Sequence, residues 1–163
     1  MTIDSKALEE KLKSLQGDAQ KKIVAAALRE GAKVYQAAVA EAAPERTDDL
    51  PDTSTALPPG ELKSDVIISR GRNNVSDTTV EYDVSFGKET AHVARFVDEG
   101  HRLVEGGRSK VNAKTGKTSG PGKQVGSVAP HPFFRSAFET ASQEATAAIE
   151  ASLNAGIEKA FNK

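Results

Sequence analysis

The segment from Pro130 to Leu153 reads PHPFFRSAFETASQEATAAIEASL and decides much of the predicted fold. After two prolines and two phenylalanines, apolar residues recur every three or four positions. That period predicts a helix from about 132 to 155, roughly 36 Å long at about 1.5 Å per residue. Pro132 suits the first helical position, where its missing N–H costs nothing. The predicted apolar face contains Phe134, Phe138, Ala141, Ala145, Ile149, Leu153 and Ile157.

The sequence before this helix predicts, in order, a helix, a loop, two strands and a short helix. A long N-terminal helix is predicted to stop at Ala42, because Pro44 makes helical geometry unfavourable for the residue before it. An acidic, proline-rich loop follows at 43–61. The β-branched run at 66–68 predicts one strand, and the alternation of TVEYDVSF at 79–86 predicts another. A short helix from about Thr90 to Gly100 completes an α+β domain with an antiparallel sheet, spanning 1–163.

The composition limits the classes of function. Only 37% of the 163 residues are hydrophobic and none is Trp, which predicts a modest core, with much of the chain solvated, mobile or buried only against partner subunits. A net charge of −1 gives no overall field toward nucleic acid. The absence of cysteine excludes disulfides and thiolate metal sites. No apolar run reaches the ~18 residues of a membrane span, so a soluble protein folded in a cytoplasm is expected.

Residues 101–128 form a basic, glycine-rich segment. They contain six glycines and six Lys or Arg against one Glu, which predicts a mobile loop. Without interleaved aromatic residues, contact with a protein is favoured over contact with DNA, although a solvated loop without any partner stays possible. The acidic residues at 45–52 of a neighbouring copy are one candidate complement. The predicted contact residues are Arg102, Arg108, Lys110, Lys114, Lys117 and Lys123.

No pattern predicts catalysis, a metal site or a cofactor. His131 lies between two prolines and is interpreted as a residue at the helix start. His92 and His101, with Asp98 between them, match no zinc-binding spacing, and an enzyme built on these three residues is the weakest hypothesis. The Gly-Lys-Thr at 116–118 lacks the earlier glycine of a phosphate-binding loop.

Three patches resemble the neck or tail-completion (head–tail joining) proteins of long-tailed bacteriophages. The first helix runs into AAVAEAAP. In AHVARFVDEGH, residues 96–101 occupy the positions of the family's aromatic-Val-Glu-aromatic-Gly-Thr signature, with Asp98, Glu99 and His101 as departures. APHPFFRSAFE is similar to the family's Pro-x-Pro-Phe-Leu-Arg-Pro-Ala motif, with Ser136 replacing the last proline. The residues at motif positions for which the resemblance implies a structural role are Phe96, Asp98, Gly100, Pro130, Pro132, Phe133, Phe134 and Arg135.

The resemblance implies a non-enzymatic virion protein of the phage neck. Copies of the chain would form a six-fold ring between the head connector or adaptor and the tail-terminator or tail-tube proteins. DNA would pass through the lumen without specific binding. Two alternatives stay open: a tail-terminator ring subunit, and an accessory protein that binds nucleic acid through the basic segment.

Overall fold

The computed structural model describes residues 9–10, 13–14, 17–45, 57–71, 79–105 and 123–162. The helices and strands within these ranges confirm the α+β class. The helices are α1 (Gly17–Ala42), the single turn α2 (Glu61–Ser64), α3 (Ala91–Glu99) and α4 (Phe133–Phe161). The strands are β1 (Val66–Arg70), β2 (Tyr82–Phe86), β3 (His101–Glu105) and β4 (Lys123–Val128).

Helices α1 and α4 form an antiparallel pair that carries the rest of the fold. The Tyr35 and Phe138 rings stack with centroids 4.4 Å apart. Gly31 faces Ile149 so closely that a Cβ at Gly31 would lie 2.5 Å from Ile149 Cγ1. More than half of the buried apolar residues in the described part of the chain are alanines. The small side chains therefore let the two helix backbones approach closely, which explains how a chain short of large apolar residues forms a core.

The C-terminal helix confirms the prediction from its apolar period and is longer than predicted. It begins at Phe133, with Pro132 in the N-cap position rather than the first helical position, and continues to Phe161. The prediction ended too early because Ala155 and Gly156 interrupt the large apolar residues, whereas the space beside Gly156 is filled by Ile23 of α1. The residues of α4 that are buried are Phe133, Ala137, Ala141, Ala145 and Ile157.

Strands β1 and β2 form the predicted antiparallel pair, with Val66 opposite Phe86 and Arg70 opposite Tyr82. Val84 and Phe86 pack against a core cluster, as the alternation of this strand predicts. The sheet is tied to α1 by Gln36, whose Nε2 donates a hydrogen bond to Val66 O at 2.6 Å. The cluster consists of Val39, Ala43, Leu62, Val66, Ala94, Phe133 and Ala137.

Helix α3 begins and ends where the sequence indicates. Thr90 is its N-cap and is almost fully buried, and its hydroxyl donates to the side chain of Asp65. Gly87 N–H donates to Asp65 O at 3.0 Å, so Asp65 holds the chain on both sides of the turn before α3. The turn α2 was not predicted. It follows Gly60, which adopts a left-handed conformation with a φ of 78°.

The prediction that all of 101–128 is a loop is wrong at both ends. Strands β3 and β4 pair antiparallel, with His101 opposite Val128 and Leu103 opposite Gly126, and with a bulge after Leu103. None of the described side chains of this hairpin is buried. A strand without a buried face lacks the alternation that identifies strands in a sequence, so its glycines and lysines indicated a loop instead.

Several predictions lie outside the described residues or stay untested. They include most of the helix before residue 17, the acidic loop at 46–56, and residues 106–122 of the basic segment. That the whole chain is one domain stays a prediction. Within the described ranges, no helix is long and apolar enough to cross a membrane.

Candidate assembly interface

The two neck-like motifs of the sequence meet at the junction between α3 and α4. The Asp98 carboxylate accepts a hydrogen bond from the backbone N–H of Phe134 at 3.0 Å. One residue earlier, Val97 O accepts a hydrogen bond from the N–H of His131 at 2.9 Å. The end of one motif therefore contacts the beginning of the other, although Asp98 and Phe134 lie 36 positions apart in the sequence.

Asp98 caps the N-terminus of α4, because the N-cap residue of that helix, Pro132, cannot do so. The first N–H groups of a helix have no partner within the helix and are normally satisfied by a side chain at the N-cap. Pro132 has no side-chain acceptor, and no side chain caps α4 from that position. The carboxylate of Asp98 supplies the missing acceptor at the positive end of the helix dipole.

Gly100 lies at the same junction, next to the chain that leaves β4. Its φ of 70° falls in a region that side-chain-bearing residues rarely adopt. A Cβ on Gly100 would lie 2.6 Å from Val128 O and 2.8 Å from Pro130 N. The glycine is therefore required both by its conformation and by the close approach of the chain that leaves β4.

Aromatic rings fill the space beneath the junction. The Phe86 ring lies 5.9 Å from Phe133 and 6.0 Å from Phe134, measured between centroids. An open, mainly apolar pocket of about 240 Å³ lies beside them, with Arg95 and Glu99 at its rim. This volume is below the roughly 300–1,000 Å³ of typical small-molecule sites. The pocket is better suited to receive one or two side chains.

The structure places the two histidines of the weakest hypothesis beside Phe96, and Asp98 against the start of α4. The rings of His92 and His101 both lie against Phe96, at 6.3 Å and 5.3 Å between centroids. Asp98 is engaged with the α4 backbone, and the third histidine, His131, is exposed. In the part of the chain that the structure describes, no group of three His, Asp or Glu residues could hold a metal ion.

An exposed apolar surface continues from α3 onto the hairpin. Phe96 is 49% exposed and contacts the ring of His101. His101 pairs with Val128, which is 41% exposed, and Leu103 on the same face is 43% exposed. Cross-strand partners share one face of a hairpin, so these side chains form a continuous surface. We call Phe96, His101, Leu103 and Val128 the hairpin patch.

A second surface lies on the α1–α4 pair. An open groove of about 440 Å³ is lined in part by small apolar residues, including Ala37 and Ala148. Its charged residues are Glu30, Lys33, Glu41 and Glu144. Lys33 binds Glu30 at 2.7 Å, which leaves two carboxylates without a partner among the described residues. We call this surface the acidic groove.

Residues 6–100 match the sequence model of the HK97-gp10-like family, described as "Bacteriophage HK97-gp10, putative tail-component". The match covers more than half of the chain. The chain belongs to this family. It is accordingly a structural protein of the bacteriophage tail, which places it in the virion and among other phage structural proteins. No curated protein and no solved structure matches the chain significantly.

The family match ends at Gly100, the last residue of the junction. The hairpin and α4 lie beyond it, yet Gly100 contacts the chain after β4 and Asp98 caps α4. The HK97-gp10-like part and the C-terminal part are therefore joined by specific contacts. The resemblance of APHPFFRSAFE to the neck proteins concerns residues that the family model does not match.

Two of the six predicted contact residues lie in the part of the chain that the structure describes. Arg102 and Lys123 are exposed on the hairpin. Arg108, Lys110, Lys114 and Lys117 lie outside the described residues. At the start of α4, Phe133 is buried in the core and Arg135 is exposed. Sequence reasoning missed the hairpin patch, and the valines at 104, 125 and 128 were the available signal for its strands.

Proposed function

We propose that this HK97-gp10-like protein is a neck subunit, which forms a ring joining the DNA-filled head to the tail. The observation that carries the proposal is the hydrogen bond from Phe134 N–H to Asp98. It brings together the two sequence motifs that resemble tail-completion proteins. Family membership supports the coarser part of the proposal, a structural component of the phage tail.

The exposed hairpin supports assembly into an oligomer. An isolated two-stranded hairpin is marginally stable in water and usually needs packing against another element. Strands β3 and β4 pair extensively only with each other within the described chain. Their apolar side chains, which include Leu103, Val104 and Val125, are exposed. A neighbouring subunit would cover this surface and stabilise the hairpin.

The proposed partners follow from the position of the ring. One face would contact the head connector or adaptor, and the other would contact the tail-terminator or tail-tube proteins. DNA would move through the lumen during ejection. The net charge of −1 suits this role, because a strongly basic lumen would bind the phosphates and retain the DNA.

The proposal is tested by disrupting the gene in its phage and examining lysates by electron microscopy. We expect DNA-filled heads beside separate, finished tails of normal length. A plasmid copy of the wild-type gene should restore joined virions, which excludes effects on neighbouring genes. Normally joined virions without the protein would contradict the proposal. Tails of abnormal length would instead indicate the tail-terminator role.

A further inference from the structure

We propose that neighbouring copies in the ring are joined through their long helices, with Arg29 of one copy against Glu150 of the next. The inference rests on the proposed ring and specifies its subunit interface. It assigns one occupant, a second copy of this chain, to the outer faces of α1 and α4. In this arrangement the α1–α4 pairs lie side by side, with the helices along the axis of the ring.

The two helices carry opposite charge. Residues 21–33 of α1 contain four Lys or Arg and one Glu, which gives a net charge of +3. Residues 136–157 of α4 contain three Glu and no Lys or Arg, which gives a net charge of −3. Both segments lie wholly within the described residues. Opposite potentials guide α1 of one copy to α4 of the next, whereas two like faces repel each other.

Arg29 and Glu150 lie away from the contact between the two helices of one copy. Gly31 faces Ile149 at that contact, and Gly156 also faces α1. At about 100° per residue, Arg29 lies roughly 160° around α1 from Gly31. Glu150 lies roughly 100° around α4 from Ile149 and roughly 120° from Gly156. Arg29 is exposed and Glu150 is partly exposed, so both are accessible to a neighbouring copy.

The two residues also lie at nearly the same height along the helix pair. Because α1 and α4 are antiparallel, the steps from Gly31 back to Arg29 and from Ile149 on to Glu150 lead toward the same end. At about 1.5 Å per residue, their heights differ by about 1.5 Å. Rotation about an axis parallel to the helices leaves heights unchanged. It therefore brings Arg29 of one copy level with Glu150 of the next.

Both groups are available for an ion pair. Within the residues that the structure describes, neither Arg29 nor Glu150 has an ion-pair partner. On the exposed face of α4, the hydroxyls of Thr140 and Thr146 donate to carbonyls of their own helix at 2.9 Å and 2.8 Å. An arginine and a carboxylate can form two parallel hydrogen bonds, which fixes orientation as well as proximity.

The arrangement favours a ring over a closed pair. The outer faces of α1 and α4 are different surfaces, so the contact between them is heterologous. Each added copy leaves one α1 face and one α4 face free until the ring closes. DNA does not complement both faces, because the carboxylates of α4 repel phosphates.

Exchange of the two charges tests the pairing. Arg29→Glu and Glu150→Arg each place like charges at every interface, and each should lower the yield of infectious particles at least about tenfold. The double variant restores opposite charges and should recover most of the yield. Single variants with the wild-type yield, or a double variant no better than the single ones, would overturn the pairing.

The matched control combines Arg29→Glu with Glu158→Arg. This variant carries the same exchanged charges, but Glu158 is an exposed residue roughly 12 Å farther along α4 than Glu150. It should not recover the yield. Equal recovery by both double variants would show that only the net charge of the protein matters, which contradicts the specific contact.

Crosslinking in purified virions measures the contact independently of yield. The chain contains no cysteine, so introduced cysteines react alone. Virions carrying Arg29→Cys and Glu150→Cys are treated with a short bifunctional maleimide, and we expect a ladder of covalent oligomers that extends to the copy number of the ring. The matched control replaces Glu150→Cys by Thr140→Cys, an exposed position roughly 15 Å away along α4.

The outcomes separate this inference from the proposed function. Protein present in joined virions without a ladder, or crosslinked only within single chains, would overturn the contact and leave the neck role intact. Crosslinks to a different virion protein would do the same. Protein absent from purified virions would contradict the neck role itself.

Discussion

The Asp98 carboxylate caps helix α4 by accepting a hydrogen bond from the backbone N–H of Phe134 at 3.0 Å. Asp98 lies within the region that matches the HK97-gp10-like family, and Phe134 lies beyond it. The contact therefore orients the C-terminal helix, and the groove that it forms with α1, relative to α3 and the hairpin. Changes at this junction should affect both stability and assembly.

Removing the cap should weaken the fold. Asp98→Ala leaves the Phe134 N–H without its acceptor, and we expect a loss of about 1 kcal/mol in the free energy of unfolding. Urea denaturation followed by circular dichroism measures it. The control is Glu99→Ala, whose carboxylate forms an exposed ion pair with Arg95. Equal effects of the two substitutions would contradict the capping role.

A side chain at Gly100 should destabilise the junction. In Gly100→Ala the new Cβ meets Val128 O and Pro130 N at a positive φ, so a loss of about 1–3 kcal/mol is expected. Gly126→Ala is the matched control, because its Cβ would make ordinary contact with Leu103 Cδ1 at 3.5 Å. Thermal unfolding of the two variants distinguishes them. A Gly100→Ala protein as stable as wild type would show that the chain after β4 is not held as described.

The close approach of α1 and α4 predicts a sharp difference between two glycines. Gly31→Val would drive its side chain into Ile149 and lower stability by about 1–3 kcal/mol. A Cβ at Gly17 would meet nothing within 4 Å, so Gly17→Val should change stability by less than about 0.5 kcal/mol. Denaturant midpoints measure both. Tolerance of valine at Gly31 would mean that the helices are farther apart than the structure shows.

DNA binding should be weak and should not depend on the hairpin. At about 0.15 M salt we expect no affinity tighter than the ~10⁻⁴–10⁻⁶ M of non-specific binding. Fluorescence anisotropy with a duplex, repeated over a range of salt concentrations, measures it. Arg102→Glu with Lys123→Glu should leave this signal unchanged. Tight binding that falls steeply with salt and is lost in the double variant would favour the nucleic-acid-binding alternative.

The sequence predicted the elements whose pattern reflects burial. The apolar period of α4 and the alternation of β2 both arise because one face meets the core, and that requirement is visible in the residues themselves. The helix stop before Pro44 and the limits of α3 at Thr90 and Gly100 follow from local backbone chemistry.

The hairpin and the junction could not be predicted in the same way. A hairpin without a buried face carries no alternation, so β3 and β4 were hidden among glycines and lysines. The bond between Asp98 and Phe134 depends on how α3 packs against the start of α4, and no local rule contains that distance. The motif resemblance identified both residues without indicating that they touch.

The most direct test of the neck role is a cryo-electron microscopy reconstruction of the intact virion. We expect a ring between the head connector and the tail, into which the α1–α4 pair fits once per subunit, with each hairpin against its neighbour. Density for the protein along the tail tube or at the distal end of the tail, with none at the neck, would contradict it.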